Sequence, residues 1–205
     1  MLTHTIYTYS FEELSEAAKH KAWEREYYNY SEDYSSEYRA TLEAFEYLFD
    51  IKVYNWSVDE WNYTFDFHKA ERAEACPDGN PLRVARYIWN NYADSITRGK
   101  YYSIGHYING KYSYKFRHSK ILLEMDNCPL TGTYTDTDIL QPVIDCLHYK
   151  QFFDNYDDLI TTCLDSFFHS WENAIEYTNS FEYFEELATI NEWQFLEDGT
   201  FWRAG

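Results

Sequence analysis

The stretch YDDLITTCLDSFFHSWENAIEYTNS, residues 156–180, decides how the rest of the chain is read. Its apolar side chains fall at Ile160, Cys163, Leu164, Phe167, Phe168, Trp171, Ala174 and Ile175, the recurrence of a helix that buries one face. On the other side Asp158, Asp165, Glu172 and Glu176 are spaced by seven, seven and four residues, so the same periodicity lines their carboxylates up along the exposed face. No Lys or Arg interrupts them. Asp154 and Asp157 lead into this stripe, and Glu182, Glu185 and Glu186 continue the acidic run in the next helix. These nine carboxylates are the candidate partner-binding residues.

Ser180 is placed to cap that next helix, over 181–188, with Phe181, Phe184 and Leu187 inward. Residues 193–196 and 200–202 flank Glu197-Asp198-Gly199 and read as a closing hairpin, Gly199 supplying a positive φ. Upstream, Asp138 with Gln141 three residues on reads as a capped helix start, followed by the apolar Ile139, Leu140, Val143, Ile144 and Leu147. Near the start of the chain Ser10 and Glu13 form a capping box ahead of a helix over 11–28 with a narrow face of Leu14, Ala17, Ala18 and Ala22. A second helix over 35–49 turns Tyr38, Leu42, Phe45, Leu48 and Phe49 inward and Glu37, Glu43 and Glu46 outward. A third, over 81–96, opens on Pro81 and buries Leu82, Ala85, Ile88, Trp89 and Tyr92. Alternation over 51–57 and 61–68 predicts a hairpin. Asn109-Gly110 predicts another, because both central residues of a type I′ turn need positive φ. The fold expected is α+β, about six helices packed on antiparallel hairpins in a single compact domain, with 1–125 and 126–205 as the natural subdivision.

Charge is unevenly distributed. The chain carries −18 in all: −9 over 1–75, +5 over 76–125 and −14 over 126–205. Such a chain is repelled by nucleic acid and anionic membranes and steered towards basic surfaces. The basic middle, with Lys100, Lys111, Lys115, Arg117 and Lys120 among tyrosines, has the composition of a nucleic-acid contact, but in so acidic a chain it is read as facing the protein's own carboxylates or as one pole of a dipolar molecule. Direct nucleic-acid binding is not expected. No run of about 18 apolar residues and no leader-like segment is found, so a cytosolic location is expected.

Chemistry is sparse. Phosphate-cradling glycine motifs are missing, and the histidines never fall at metal-ligand spacing. Cys76, Cys128, Cys146 and Cys163 form no C-x-x-C pair and read as reduced thiols, Cys146 and Cys163 as small hydrophobes. Asp136 and Asp138 resemble a two-carboxylate metal pair but suit a helix start. No catalytic, cofactor or metal residue is assigned.

Residues 9–22 (YSFEELSEAAKHKA), Cys128–Gly132 (CPLTG), Asp136–Pro142 (DTDILQP) and Asn191–Gly199 (NEWQFLEDG) resemble a family of small acidic proteins encoded by bacteriophages and prophages. Its members are mostly uncharacterised, and some are labelled antitoxin-like. The resemblance implies a phage or prophage origin and carries over no catalytic residue. It directs the acidic surface towards a basic, nucleic-acid-binding host protein, such as a restriction or CRISPR effector inhibited by DNA mimicry in the host cytosol. An antitoxin-like protein that neutralises a toxin, and a metal-dependent hydrolase built on clustered carboxylates, are the alternatives. Monomer and dimer are both open.

Overall fold

The computed structural model describes residues 5–96, 103–108, 111–116, 128–150 and 152–202. In chain order the elements are β1 (Tyr9–Ser10), α1 (Glu16–Tyr30), α2 (Ser35–Phe49), β2 (Ile51–Val58), β3 (Tyr63–Lys69), α3 (Glu71–Glu74), α4 (Pro81–Ile96), β4 (Ser103–Ile108), β5 (Lys111–Phe116), α5 (Thr135–Tyr149), α6 (Tyr156–Asn179), α7 (Phe181–Ile190) and β6 (Gln194–Phe195). The fold is α+β, with three antiparallel two-stranded pairings among the described residues, β1 with β6, β2 with β3 and β4 with β5. The chain divides into two compact units: residues up to Tyr34 join those from Asn173 onward, and Ser35–Glu172 form the larger one. The dividing lines fall after Tyr34 and after Glu172.

In the larger unit, α2, α4, α5 and α6 bury one face each, among them Phe45 and Phe49, Ile88 and Tyr92, Ile139 and Val143, and Leu164 and Phe167. The β2–β3 hairpin pairs Ile51 with Lys69 through to Tyr54 with Asp66. It then shifts register at a bulge where Asn55 takes φ +51°, and resumes with Ser57 opposite Thr64. Tyr63 and Phe65 stack on Phe168 of α6 with ring centroids 6.0 and 5.4 Å away, and Trp56 meets the same ring tilted by 42° at 5.8 Å. Trp61, expected in the strand, is 80% exposed in the turn. Strands β4 and β5 pair from Ser103 opposite Phe116 to Ile108 opposite Lys111; the Asn109-Gly110 turn and Lys100, Arg117 and Lys120 lie outside the described residues.

Three expectations about the larger unit fail, at Glu46, Asp138 and Leu82. Glu46, expected outward, is buried: it accepts from Val53 N at 2.7 Å and from Lys52 Nζ at 2.7 Å, so it satisfies a strand amide that no neighbouring strand reaches. Asp138 does not cap α5, which begins three residues earlier behind Tyr134 with no side-chain cap. Leu82 of α4 is exposed, while Val84, Ala93 and Ile96 fill the buried face instead.

The smaller unit centres on Phe11, Leu14, Ala18, Ala22, Phe184, Ala188 and Phe195. The Ser10–Glu13 capping box forms, but it closes a 3-10 turn over Phe11–Glu13 rather than the first helix. The chain then extends at Leu14, and Ser15 caps α1 by accepting from Ala18 N. That break lets Leu14 be buried alongside Phe11. Ser180 caps α7 as expected, accepting from Tyr183 N at 3.1 Å, but α7 buries Tyr183, Phe184 and Ala188 and leaves Leu187 half-buried. The closing hairpin exists as a Phe195–Phe201 bridge, and β6 pairs in addition with β1.

Candidate functional site

The nine predicted carboxylates fall in both units. Asp154, Asp157, Asp158, Asp165 and Glu172 belong to the larger one, and Glu176, Glu182, Glu185 and Glu186 to the smaller.

In the larger unit, Asp158, Asp165 and Glu172 keep the line that their spacing demands, but Glu172, expected on the exposed face, is half-buried with its side chain 16% exposed. Asn155 and Asp158 cap the start of α6 reciprocally: Asn155 Oδ1 accepts from Asp158 N, and its amide donates to Asp158 Oδ2, both at 2.7 Å. The Tyr63 hydroxyl lies near Asp165 and Glu172: its pKa is raised by burial first and by the charges of those two carboxylates second. Nδ1 of His169 lies 3.2 Å from Glu172 Oε2. Among the described residues no Lys or Arg nitrogen pairs with these three. Asp157 differs: Lys69 Nζ is 2.7 Å from its Oδ1, and that hydrogen bond is the main reason the Lys69 pKa is raised. One carboxylate of the run is thus neutralised from β3. Asp154 is exposed, and its carbonyl accepts from Gly79 N.

In the smaller unit, Tyr177 donates to Glu186 at 3.0 Å, and this bond, with Glu182 nearby, raises the Tyr177 pKa. Glu176 and Glu182 are exposed. Glu185, expected to face outward, is half-buried with Lys19 Nζ 3.9 Å away. Asn155 was legible in the sequence as an N-cap with Asp at N3, whereas Tyr63 and Tyr177 gave no signal, because their partners come from other elements.

Asp136 and Asp138 do not act as a pair. The Asp136 carboxylate is buried and accepts from the backbone N of Leu130, Thr131 and Gly132 at 2.8–3.1 Å and from the hydroxyls of Thr131 and Thr41. Asp138 accepts from Ser170 Oγ at 2.6 Å, and burial raises its pKa. A raised carboxyl pKa means that ionisation disfavours folding, a cost absent below the unfolded value and growing as pH rises through the folded one. Asp138→Asn, which still accepts from Ser170, should therefore raise the melting temperature at pH 7 and leave it unchanged near pH 3. A lower melting temperature at pH 7 would mean that the charge itself is needed.

Among the described residues no group of three or more His, Cys, Asp or Glu is gathered to hold a metal ion, and no helix is long and apolar enough to cross a membrane. Burial pushes the thiols of Cys76 and Cys146 up to about 11 and about 12, and that of Cys163 well above its usual value, which suits small hydrophobes rather than nucleophiles. A cleft of about 670 Å³ at the end of α2 is bounded by Glu46, Asp50, Lys52, His68 and Arg72. Its charged groups are engaged locally: Glu46 with Lys52, Asp50 with Arg72 N, and Arg72 Nη2 with Leu48 O.

Comparison with family models, with curated proteins and with solved structures gave no match.

Proposed function

We propose that the chain is a phage-encoded, non-enzymatic acidic protein that occupies the nucleic-acid channel of a basic host defence protein and inhibits it. The observation that carries this reading is the line Asp158, Asp165 and Glu172, in which Asp158 and Glu172 are hydrogen-bonded and none of the three pairs with a Lys or Arg among the described residues. Seven helical residues rise about 10.5 Å, close to three steps of a nucleic-acid strand at about 3.4 Å each, so cations spaced to hold phosphates can meet these carboxylates. Neutral hydrogen-bond partners keep the negative charge while limiting its freedom, which lowers the entropy cost of docking. Such a complex weakens steeply with salt, as nucleic-acid complexes do.

The test is phage plating on hosts that carry a restriction or CRISPR effector, with the protein expressed in trans. The wild type should restore plating by at least a hundredfold against one effector, and D158N/D165N/E172Q should abolish the effect. The equally charge-depleted E24Q/E43Q/E71Q should retain it. No protection against any effector, or equal loss in both triple variants, rejects the reading.

A further inference from the structure

Six of the seven tryptophans are buried or half-buried, whereas Trp61, at the tip of the β2–β3 hairpin, is 80% exposed. Loose chain does not explain this. The Asp59 carboxylate accepts from Trp61 N at 2.8 Å and from Asn62 N at 2.9 Å, and Asp59 N donates to Asn62 O at 3.0 Å, so the backbone that carries the indole is fixed. The ring itself meets no aromatic or cationic group among the described residues.

The charges around it are of one sign. From Val53 to His68 the hairpin carries Asp59, Glu60 and Asp66 and neither Lys nor Arg. Its two lysines stand at the base, where Lys52 pairs with Glu46 and Lys69 with Asp157. The hairpin's other indole shows what such a ring attracts: the guanidinium carbon of Arg39 lies 4.8 Å from the ring centre of Trp56. Trp61 offers the same face with no described arginine upon it.

We infer that Trp61 is an anchor for an arginine of the basic partner, the guanidinium lying flat on the indole next to the negative charge of Asp59 and Glu60. This anchor deepens the docking proposed above and depends on it: Trp61 belongs to the unit that carries Asp158, Asp165 and Glu172, and Tyr63, two residues on, stacks on Phe168 of the helix that bears them. Charge selects this occupant. A second copy at −18 and an anionic bilayer are both repelled by an acidic tip, whereas a cation is drawn by the carboxylates and by the ring. Arginine is favoured over lysine because its planar, weakly hydrated guanidinium stacks on an aromatic face, while an ammonium holds its water. Tryptophan and arginine are also the residues on which interface energy concentrates.

The test titrates the isotope-labelled full chain with oligo-arginine and with oligo-lysine of equal length in low salt, following the indole N–H signals by NMR, Trp61's being the one missing from Trp61→Phe. Oligo-arginine should move that signal more than any other indole's and bind about threefold more tightly than oligo-lysine, the size of one exposed cation–π contact. Trp61→Leu, which keeps an apolar side chain but no ring, should erase the preference with an unchanged melting temperature, and Trp61→Phe should keep part of it. D158N/D165N/E172Q should weaken both peptides alike and leave the preference in place, so a failure of the carboxylate line is told apart from a failure of the anchor. An indole signal that answers both peptides equally, or a preference that survives Trp61→Leu, would overturn the assignment. So would a shift produced by raising the protein's own concentration, or by phosphatidylcholine vesicles, in place of oligo-arginine, which would give the face to a second copy or to a bilayer.

Discussion

Gly199→Ala is expected to be among the most damaging single substitutions in the smaller unit, costing on the order of 3 kcal/mol or more. Gly199 has φ +83°, and a Cβ added there would stand 2.2 Å from the carbonyl oxygen of Ala18 and 3.0 Å from its carbon. Both are backbone atoms of α1 and cannot rotate away. Nor can the turn easily retreat, since it is tied to α1 on both sides of the clash: Lys21 pairs with Asp198 at 3.1 Å, and Arg25 Nη1 donates to Thr200 Oγ1 at 3.1 Å. Relief must come by moving α1 off a core in which Ala18 and Ala22 are buried against Phe11, Phe184 and Phe195. Gly132→Ala is the control. Its φ is +91° but a Cβ would meet nothing within 4 Å, so it should cost only the conformational penalty, about 1 kcal/mol. Urea unfolding of the two variants should separate them by at least about 2 kcal/mol; equal midpoints would show that the turn yields without disturbing α1.

The same turn carries a pH dependence. The Asp198 carboxyl is held well below the usual range, by its hydrogen bonds to Thr200 first and Lys21 second. A depressed pKa contributes stability that is present above the unfolded value and is lost as pH falls towards the folded one. The contacts between this turn and α1 should therefore weaken in acid before the apolar packing does.

Where the sequence was legible, local chemistry and burial agreed. The helices over 35–49 and 81–96 were expected with the bounds they have, because apolar periodicity ends at Asp50 in one case and begins at Pro81 in the other. The buried face of α6 was legible for the same reason: residues three and four apart must share a side. What could not be read depends on partners distant in sequence. Leu14 breaks an apparently continuous helix so that the start of the chain can reach β6, nearly two hundred residues away. Glu46 looks like a surface acid until β2 folds back and brings it the amide of Val53. In the candidate site the period of seven was visible, but the pairing of Asp157 with Lys69 and the approach of Tyr63 to Asp165 were not, since β3 reaches α6 only in the folded unit.

Asp136 is the other position at which one side chain decides a local structure. Its Oδ2 takes three consecutive backbone N–H groups, from Leu130, Thr131 and Gly132, and Oδ1 takes the hydroxyls of Thr131 at 2.7 Å and Thr41 at 3.1 Å. The Thr41 hydroxyl comes from α2, so the carboxylate ties the loop ahead of α5 to a neighbouring helix. Asp136→Ala leaves five donors to find water, two of them on the buried side. Unsatisfied buried donors cost about 1–3 kcal/mol each, but Thr131 and Gly132 are exposed enough to be rehydrated. The net loss should therefore be on the order of 3 kcal/mol, with faster proteolytic cleavage in the loop over 128–134. Asp136→Asn separates shape from charge. Its carbonyl oxygen can still accept from the three backbone groups, while its amide donates to threonine oxygens that are able to accept. It should therefore recover more than half of the stability lost in the alanine variant. If Asn is as damaging as Ala, the negative charge is what holds the loop; if Ala unfolds within about 1 kcal/mol of the wild type, the threonine hydroxyls hold it without Asp136.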